Sequence, residues 1–230
     1  MTSKRTICII PVRGGSKGIP RKNLSEIKNG ISLLEWTIRQ ALRVYPQQDV
    51  YVSTEDGEMT DVARSCGAQV IARPKELATD ESTSVSVVEH LLESVDPNAD
   101  MFALITLLQV TSPLRTDDDV LLAKNKIESG QYDSVVSAFE DKISHPAKMY
   151  FLDSDRAIPV APKYESMRRQ DLPKVVQRNG AIFSVTRSFF EHEGRLWGGR
   201  TAIVEMPRER SIDIDAPIDL ETARSYLGLD

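Results

Sequence analysis

From Thr6 to Val12 every position is apolar or β-branched, and the run stops at Arg13-Gly14-Gly15. An unbroken run of this kind predicts a strand buried on both faces of a parallel sheet, ending just before the glycines. Between Leu33 and Tyr45 the residues Leu34, Ile38, Ala41, Leu42 and Tyr45 recur at helical spacing, and Asp49 to Thr54 (DVYVST) then reads as a second strand. The alternation continues with a helix near Glu58 to Cys66 stopped by Gly67, a short strand at Gln69 to Ala72, and a helix from Ser84 to Val95. Met101 to Leu108 is the longest apolar run and is expected to be the central strand. Thr116 followed by Asp117, Asp118 and Asp119 has the side chains of a helix start, leading into Val120 to Ile127. The next strand is Asp133 to Phe139.

Beyond it the texture changes. His145 to Pro173 carries four of the twelve prolines, short strand-like pieces such as 148–151 (KMYF), and the charged run Arg168-Arg169-Gln170-Asp171. It reads as an excursion from the sheet. Regular structure resumes with Ala181 to Val185, Ala202 to Met206, and a final helix at Ile218 to Leu227. Strands alternating with helices predict an α/β fold with a mainly parallel sheet, whose ligands bind beyond the carboxyl ends of the strands.

The 230 residues, 40% of them hydrophobic, are enough for one main domain spanning 1–230. With 29 Lys and Arg against 34 Asp and Glu, the net charge of −5 provides no general field for nucleic acid or an anionic membrane. Any anion must therefore be held by a local cluster. Cys8 and Cys66 have no Cys or His at metal-ligand spacing, so both read as small buried hydrophobes. The apolar run at the N-terminus meets Arg13 too early for a signal sequence, and no stretch of about 18 apolar residues exists, so the expected location is the cytoplasm.

The first strand leads into Arg13-Gly14-Gly15-Ser16-Lys17-Gly18-Ile19-Pro20-Arg21-Lys22-Asn23. Three glycines let the backbone approach a ligand, and Arg13, Lys17, Arg21 and Lys22 bring positive charge to a strand end, which suits a polyphosphate. The loop lacks both the Gly-Lys-Ser/Thr of a Walker loop and the glycine order of dinucleotide folds, so kinases and dehydrogenases lose ground. A solvated basic turn is the simpler alternative. Near the other end, Asp213 and Asp215 alternate with Ile212 and Ile214, so on an extended strand both carboxylates face one side. Such a face is either a hard-oxygen site for Mg²⁺ or merely solvated.

The loop resembles the signature of the cytidylyltransferases that activate sialic acid and related nonulosonic acids. The resemblance extends to Arg73-Pro74-Lys75-Glu76-Leu77-Ala78-Thr79-Asp80 with Ser82-Thr83-Ser84, and to Leu108-Gln109-Val110-Thr111-Ser112-Pro113-Leu114-Arg115. It continues through Arg169-Gln170-Asp171-Leu172-Pro173, Asn179-Gly180-Ala181-Ile182-Phe183 and Ser211-Ile212-Asp213-Ile214-Asp215, in family order over nearly the whole chain. The family implies a Rossmann-like nucleotide-diphospho-sugar transferase fold of three layers, with a small inserted dimerisation lobe at about 143–177. The implied reaction joins CMP from CTP to the C2 hydroxyl of the sugar acid.

By that resemblance, Arg13, Gly14, Gly15, Ser16, Lys17 and Lys22 wrap the triphosphate, and Asn23, Arg73 and Ser84 lie near the nucleoside. Asp213 and Asp215 ligate Mg²⁺, for which Mn²⁺ can substitute; together with Arg13, Lys17 and Lys22 they form the catalytic set. Gln109, Arg169 and Gln177 are assigned to the acceptor, with Arg169 suited to its carboxylate. Arg115 is expected to shape its turn or to meet a carboxylate, Ser82 and Thr83 to cap the following helix, and His145 to be structural. The sequence departs from the family at Gln177-Arg178, where sialic acid synthetases carry Arg-Pro. The acceptor is therefore N-acetylneuraminate or a bacterial relative such as legionaminic or pseudaminic acid. A homodimer is expected, since in the relatives the excursion helps complete the neighbour's sugar site. The rival readings are an enzyme for an eight-carbon sugar such as Kdo, and a nucleotide-binding sensor without catalysis.

Overall fold

The computed structural model describes residues 5–16 and 18–228. The opening apolar run forms β1 (Arg5–Pro11). Its side chains alternate between two cores: Cys8 and Ile10 pack on one face of the sheet, Ile7 and Ile9 on the other. A two-stranded hairpin, β2 (Glu26–Lys28) and β3 (Ile31–Ser32), follows the glycine-rich loop. Then come α1 (Leu33–Val44), β4 (Val50–Thr54), α2 (Gly57–Ser65), β5 (Gln69–Ala72) and α3 (Ser84–Val95). Next are β6 (Phe102–Leu108), α4 (Asp117–Glu128) and β7 (Ser134–Glu140). The excursion holds β8 (Tyr150–Asp153) and β9 (Arg156–Pro159), after which β10 (Val176–Thr186), α5 (Arg187–Glu193), β11 (Thr201–Glu205) and α6 (Pro217–Leu227) complete the chain.

Seven strands form one sheet in the order β11-β7-β10-β6-β1-β4-β5, so β6 is the central strand, as its apolar length predicts. Only β10 is antiparallel to its neighbours β6 and β7; the other pairings are parallel. The core on one face takes Leu34, Ile38, Met59, Val120 and Ala223 from α1, α2, α4 and α6, and the opposite core takes Leu91 and Phe190 from α3 and α5. The result is three layers with a mainly parallel sheet in the middle.

Local rules explain most boundaries. Thr116 and Asp119 exchange side-chain and backbone hydrogen bonds at the start of α4, and Asp56 caps α2 by accepting from the Met59 N–H. Helix α5 and the β2–β3 hairpin were not anticipated, because each is too short to display a period. At the amino-terminal end of the central strand, away from the glycine-rich loop, Asp96 accepts from the N–H groups of Asp100, Met101 and Phe102 and pairs with Arg187 at 2.6 Å. This buried pair ties the start of β6 to α5.

Cys8 is fully buried, and burial pushes its thiol up. Cys66 is only half-buried, which corrects the expectation of two buried cysteines. Among the described residues no helix is long and apolar enough to cross a membrane.

Candidate functional site

The site lies beyond the carboxyl ends of β1, β4, β5 and β6, where the chain leaves the sheet in four successive loops. The glycine-rich loop departs from β1 with the Val12 N–H donating to the Ser53 carbonyl at 3.0 Å, which holds it against the end of β4. Buried Asn23 donates to the Arg13 carbonyl at 3.0 Å, closing the loop upon itself. The Gly14 N–H donates to Glu55 at 2.7 Å. At Gly18 a Cβ would stand 2.1 Å from the Asp215 carbonyl oxygen, so glycine is required for the loop to meet the C-terminal acid segment.

The loop's cations go to different places. Lys22 Nζ donates to the Ile214 carbonyl at 2.5 Å and to Asp215 at 3.1 Å, joining two parts of the chain 192 positions apart. Arg13 pairs with Asp80 at 2.7 Å and faces the cleft. Arg21, in a left-handed conformation (φ 54°), turns instead to Asp56 and Glu58 at the start of α2. Lys17 lies outside the described residues.

Opposite the loop, residues 211–215 belong to no strand or sheet, which corrects the expected strand. The in-out alternation survives because Ile214 is fully buried and its N–H donates to the Thr111 carbonyl at 2.8 Å. Asp213 and Asp215 therefore both project into the cleft. Desolvation raises the Asp213 carboxyl above the usual range; the Thr111 hydroxyl opposes this, the charge of Asp215 adds to it, and Lys22 opposes it. Asp215 is followed directly by α6, whose Asp219 accepts from the Asp215 and Ala216 N–H groups at 3.0 and 2.7 Å.

The cleft has a volume of about 450 Å³, and its lining includes Gly15, Ser16, Asn23, Arg73, Ser84 and Gln109. Arg73 is buried at the end of β5 and bonds the Ser53 hydroxyl at 3.2 Å and the Ser53 carbonyl at 2.5 Å. Burial lowers its guanidinium to about 10, with Glu55 opposing, so it remains a cation at neutral pH. Thr83 caps α3 by accepting from the Ser86 N–H. Ser82 does not, correcting that part of the expectation: its hydroxyl closes the preceding loop through Thr79 and the Glu76 carbonyl. Ser84 is the first residue of α3 and faces the cleft.

A second hollow of about 680 Å³ shares Gln109 and Asp213 with the first and continues to Gln177, Arg178, Phe183 and Trp197. The Arg178 guanidinium lies 4.0 Å from the centroid of Trp197, whose ring is 5.7 Å from that of Phe183. Asn179 donates to Ser211 at 2.8 Å, linking β10 to the acid segment. Trp197 and Phe139 in this wall escaped the sequence reading. They lie far apart in the chain and have no periodic neighbours; Gly198 and Gly199, both at positive φ, were the one local sign of a special turn.

Arg169 does not join Gln109 and Gln177. It donates to the Lys142 carbonyl at 2.8 Å and lines a separate hollow at the base of the excursion. His145 is structural as expected: Nδ1 accepts from the Ala147 N–H at 3.0 Å, and Nε2 lies 3.1 Å from the Pro173 carbonyl. Among the described residues Arg115 pairs with no carboxylate; it bonds carbonyls of its own turn.

The chain is 33% identical over 229 residues to an N-acylneuraminate cytidylyltransferase of Streptococcus agalactiae, covering 98% of this chain and 54% of that protein. It thus spans about half the length of that relative. It is 29% identical over 221 residues to a pseudaminic acid cytidylyltransferase of Campylobacter jejuni, covering 96% of this chain and 95% of that one. In fold it is similar to a CMP:2-keto-3-deoxy-manno-octonic acid synthetase solved with CTP, with a TM-score of 0.73, 16% identity and 99% coverage of both chains. The cytidylyltransferase family pattern matches residues 7–226, and the chain belongs to that family.

Proposed function

We propose that this chain transfers CMP from CTP to the C2 hydroxyl of a nonulosonic acid and releases pyrophosphate. The observation that carries the reading is the contact of Lys22 with Ile214 and Asp215, which puts a basic phosphate loop and an acid pair on the two walls of one cleft. Arg13, Lys17 and Lys22 offset the charge of the triphosphate, and the glycines admit its oxygens to the backbone. Gly14, Gly15 and Ser16 line its path, while Asn23, Arg73 and Ser84 hold the nucleoside. The acceptor lies against Gln109 and Gln177 in the adjoining hollow. The oxygen of its C2 hydroxyl attacks the α-phosphorus in line; the new O–P bond forms as the bond to pyrophosphate breaks, the hydroxyl proton is released to solvent, and no covalent enzyme intermediate is needed.

Asp213 and Asp215 are fitted to hold Mg²⁺. Among the described residues there is no preformed cluster of three or more His, Cys, Asp and Glu. Two carboxylates that leave the other positions to phosphate oxygens and water are the donor set Mg²⁺ prefers, and Mn²⁺ accepts the same oxygens. Bound there, the ion would supply Lewis acidity at the α-phosphate.

The wall of Phe139, Phe183 and Trp197 favours an acceptor with apolar substituents, such as the acylamino and deoxy positions of legionaminic or pseudaminic acid, over the triol side chain of N-acetylneuraminate. Two copies are proposed to form a homodimer in which Arg169 of each reaches the partner's acceptor site. The cytoplasm is the proposed location, since the proposed reaction draws on CTP.

The test is pyrophosphate release with CTP, Mg²⁺ and each of N-acetylneuraminate, legionaminate, pseudaminate and Kdo. Release with a nine-carbon acid only is expected. Preference for Kdo would move the chain to the eight-carbon class, and silence with every acceptor would leave a nucleotide-binding sensor.

A further inference from the structure

Arg115 stands at the end of the turn that leaves β6, and it is only 2% exposed. Its Nη1 donates to the carbonyls of Gln109 at 2.6 Å and Ser112 at 2.7 Å, while Nε and Nη2 have no partner among the described residues. Asp119, the acid whose charge it feels, is already bonded to Arg210 and Thr116. A buried cation ordinarily pairs with an anion; here two carbonyl dipoles of one turn take that role.

The remaining carbonyls of this turn show what is being held. Thr111 accepts from the Ile214 N–H at 2.8 Å, Pro113 from Trp36 at 3.0 Å, Leu114 from Arg210 at 3.3 Å and Arg115 from Gln40 at 2.8 Å. Every residue from Thr111 to Arg115 is thus anchored through its carbonyl. Arg115 reaches back to the Gln109 carbonyl, which also accepts from the Ser112 N–H at 3.4 Å, while the Thr111 hydroxyl lies 3.5 Å from the Gln109 side-chain oxygen; the Gln109 amide projects into both hollows. The same turn docks Ile214, and with it the flanking Asp213 and Asp215. The spacing between the Gln109 amide and the acid pair is therefore set by this turn, whose two shortest internal bonds are the ones the Arg115 guanidinium makes.

We propose that Arg115 is a positioning residue: by bridging the Gln109 and Ser112 carbonyls it sets Gln109 in register with the Asp213–Asp215 segment, without touching substrate. This rests on the assignment of acceptor and acid sides made above. Replacement by Met fills the volume but leaves both carbonyls without the cation, whereas Lys restores the charge without the fork.

The experiment compares the unsubstituted chain with Arg115→Met and Arg115→Lys. For Arg115→Met, kcat is expected to fall and acceptor KM to rise, on the order of 10- to 100-fold in kcat/KM, the scale of lost charge-assisted hydrogen bonds. The Kd for CTP measured calorimetrically in EDTA should stay within about twofold, because the glycine-rich loop and Arg73 are anchored elsewhere. Arg115→Lys should recover part of the loss. A second readout needs no substrate. Trp36 bonds this turn, and in a Trp197→Phe background it is the one remaining tryptophan, so its emission should move to the red with Arg115→Met. A parallel loss of CTP affinity, kcat and melting temperature in both variants would mean a merely structural role and would overturn the proposal, as would unchanged kinetics and emission. Failure of the unsubstituted chain to release pyrophosphate would count against the activity alone, since Trp36 still reads the turn.

Discussion

The glycine-rich-loop end of the cleft and the excursion that carries Arg169 are built in opposite ways. At the loop end, bonds span the chain: Lys22 grips the Ile214 carbonyl, Gly18 nests against Asp215 and Ile214 hangs from Thr111. The excursion is stapled at its base, where the Asp141 N–H donates to Val175 and His145 meets Pro173. Beyond that base, β8 and β9 pair only with each other, and Phe151 and Leu152 are 65% and 78% exposed. One chain thus ties its basic loop to its acid segment and leaves Arg169 apart from Gln109 and Gln177. On the function proposed above, the contrast predicts that donor and acceptor recognition can be broken separately.

The largest expected effect lies in neither region and separates folding from function. Asp96→Ala leaves Arg187 buried with only the half-exposed Glu191 as its anion and should cost about 3–5 kcal/mol of stability by urea unfolding, with KM values for both substrates retained in the folded fraction. Burial alone would raise the Asp96 carboxyl; the N–H groups of Phe102, Met101 and Asp100 and the charge of Arg187 outweigh it and leave it below the ordinary range. A depressed carboxyl stabilises fully above its unfolded pKa of about 3.9 and loses that contribution as pH falls through the folded value. The difference between the parent chain and Asp96→Ala should therefore shrink between neutral pH and acid below that range.

Next in size, Asp213→Asn is expected to lower kcat by about 10²–10³-fold, the scale of losing one electrostatic partner of the reacting centre, with an unchanged circular dichroism spectrum. Undiminished pyrophosphate release would remove Asp213 from the site. Gly18→Ala forces the loop off the Asp215 carbonyl; a displacement of about 1 Å should reduce kcat/KM for CTP by about 10²-fold. Smallest is the joint change Phe151→Asp and Leu152→Asp. Light scattering should then report a monomer, with acceptor KM raised about tenfold through loss of the partner's contact and CTP KM nearly constant. A monomeric parent chain, or equal effects on both substrates, would dissolve the contrast between the two ends.

How much of this was legible in the chain varies with the kind of signal. The long apolar runs named β1 and β6 within a residue or two, and the caps Thr83 and Thr116 marked α3 and α4, because burial and capping are local demands. The β2–β3 hairpin and α5 were missed for want of a period. Contiguous motifs were legible as groups: Arg13, Asn23, Asp213 and Asp215, named from them, line one cleft. Trp197 and Phe139 were not, since only the closing of β7 and β10 against the 194–200 turn sets them beside Gln177. Arg21 shows the converse error: its charge suggested the triphosphate, but its left-handed backbone sends it to Asp56 and Glu58.

By itself the sequence determined the layering and the chemistry on offer: apolar strands that bury both faces, a glycine-rich cationic turn at the end of one of them, and two aspartates alternating with isoleucine. Those follow from side-chain solubility and backbone freedom over a few residues. Only the tertiary structure decided which charges meet. Lys22 faces the acid pair and Arg21 turns away, Arg169 stands apart from Gln109, and a buried Arg115 bonds carbonyls in place of a carboxylate. Such choices depend on distances between segments up to 192 positions apart, and no local preference encodes them.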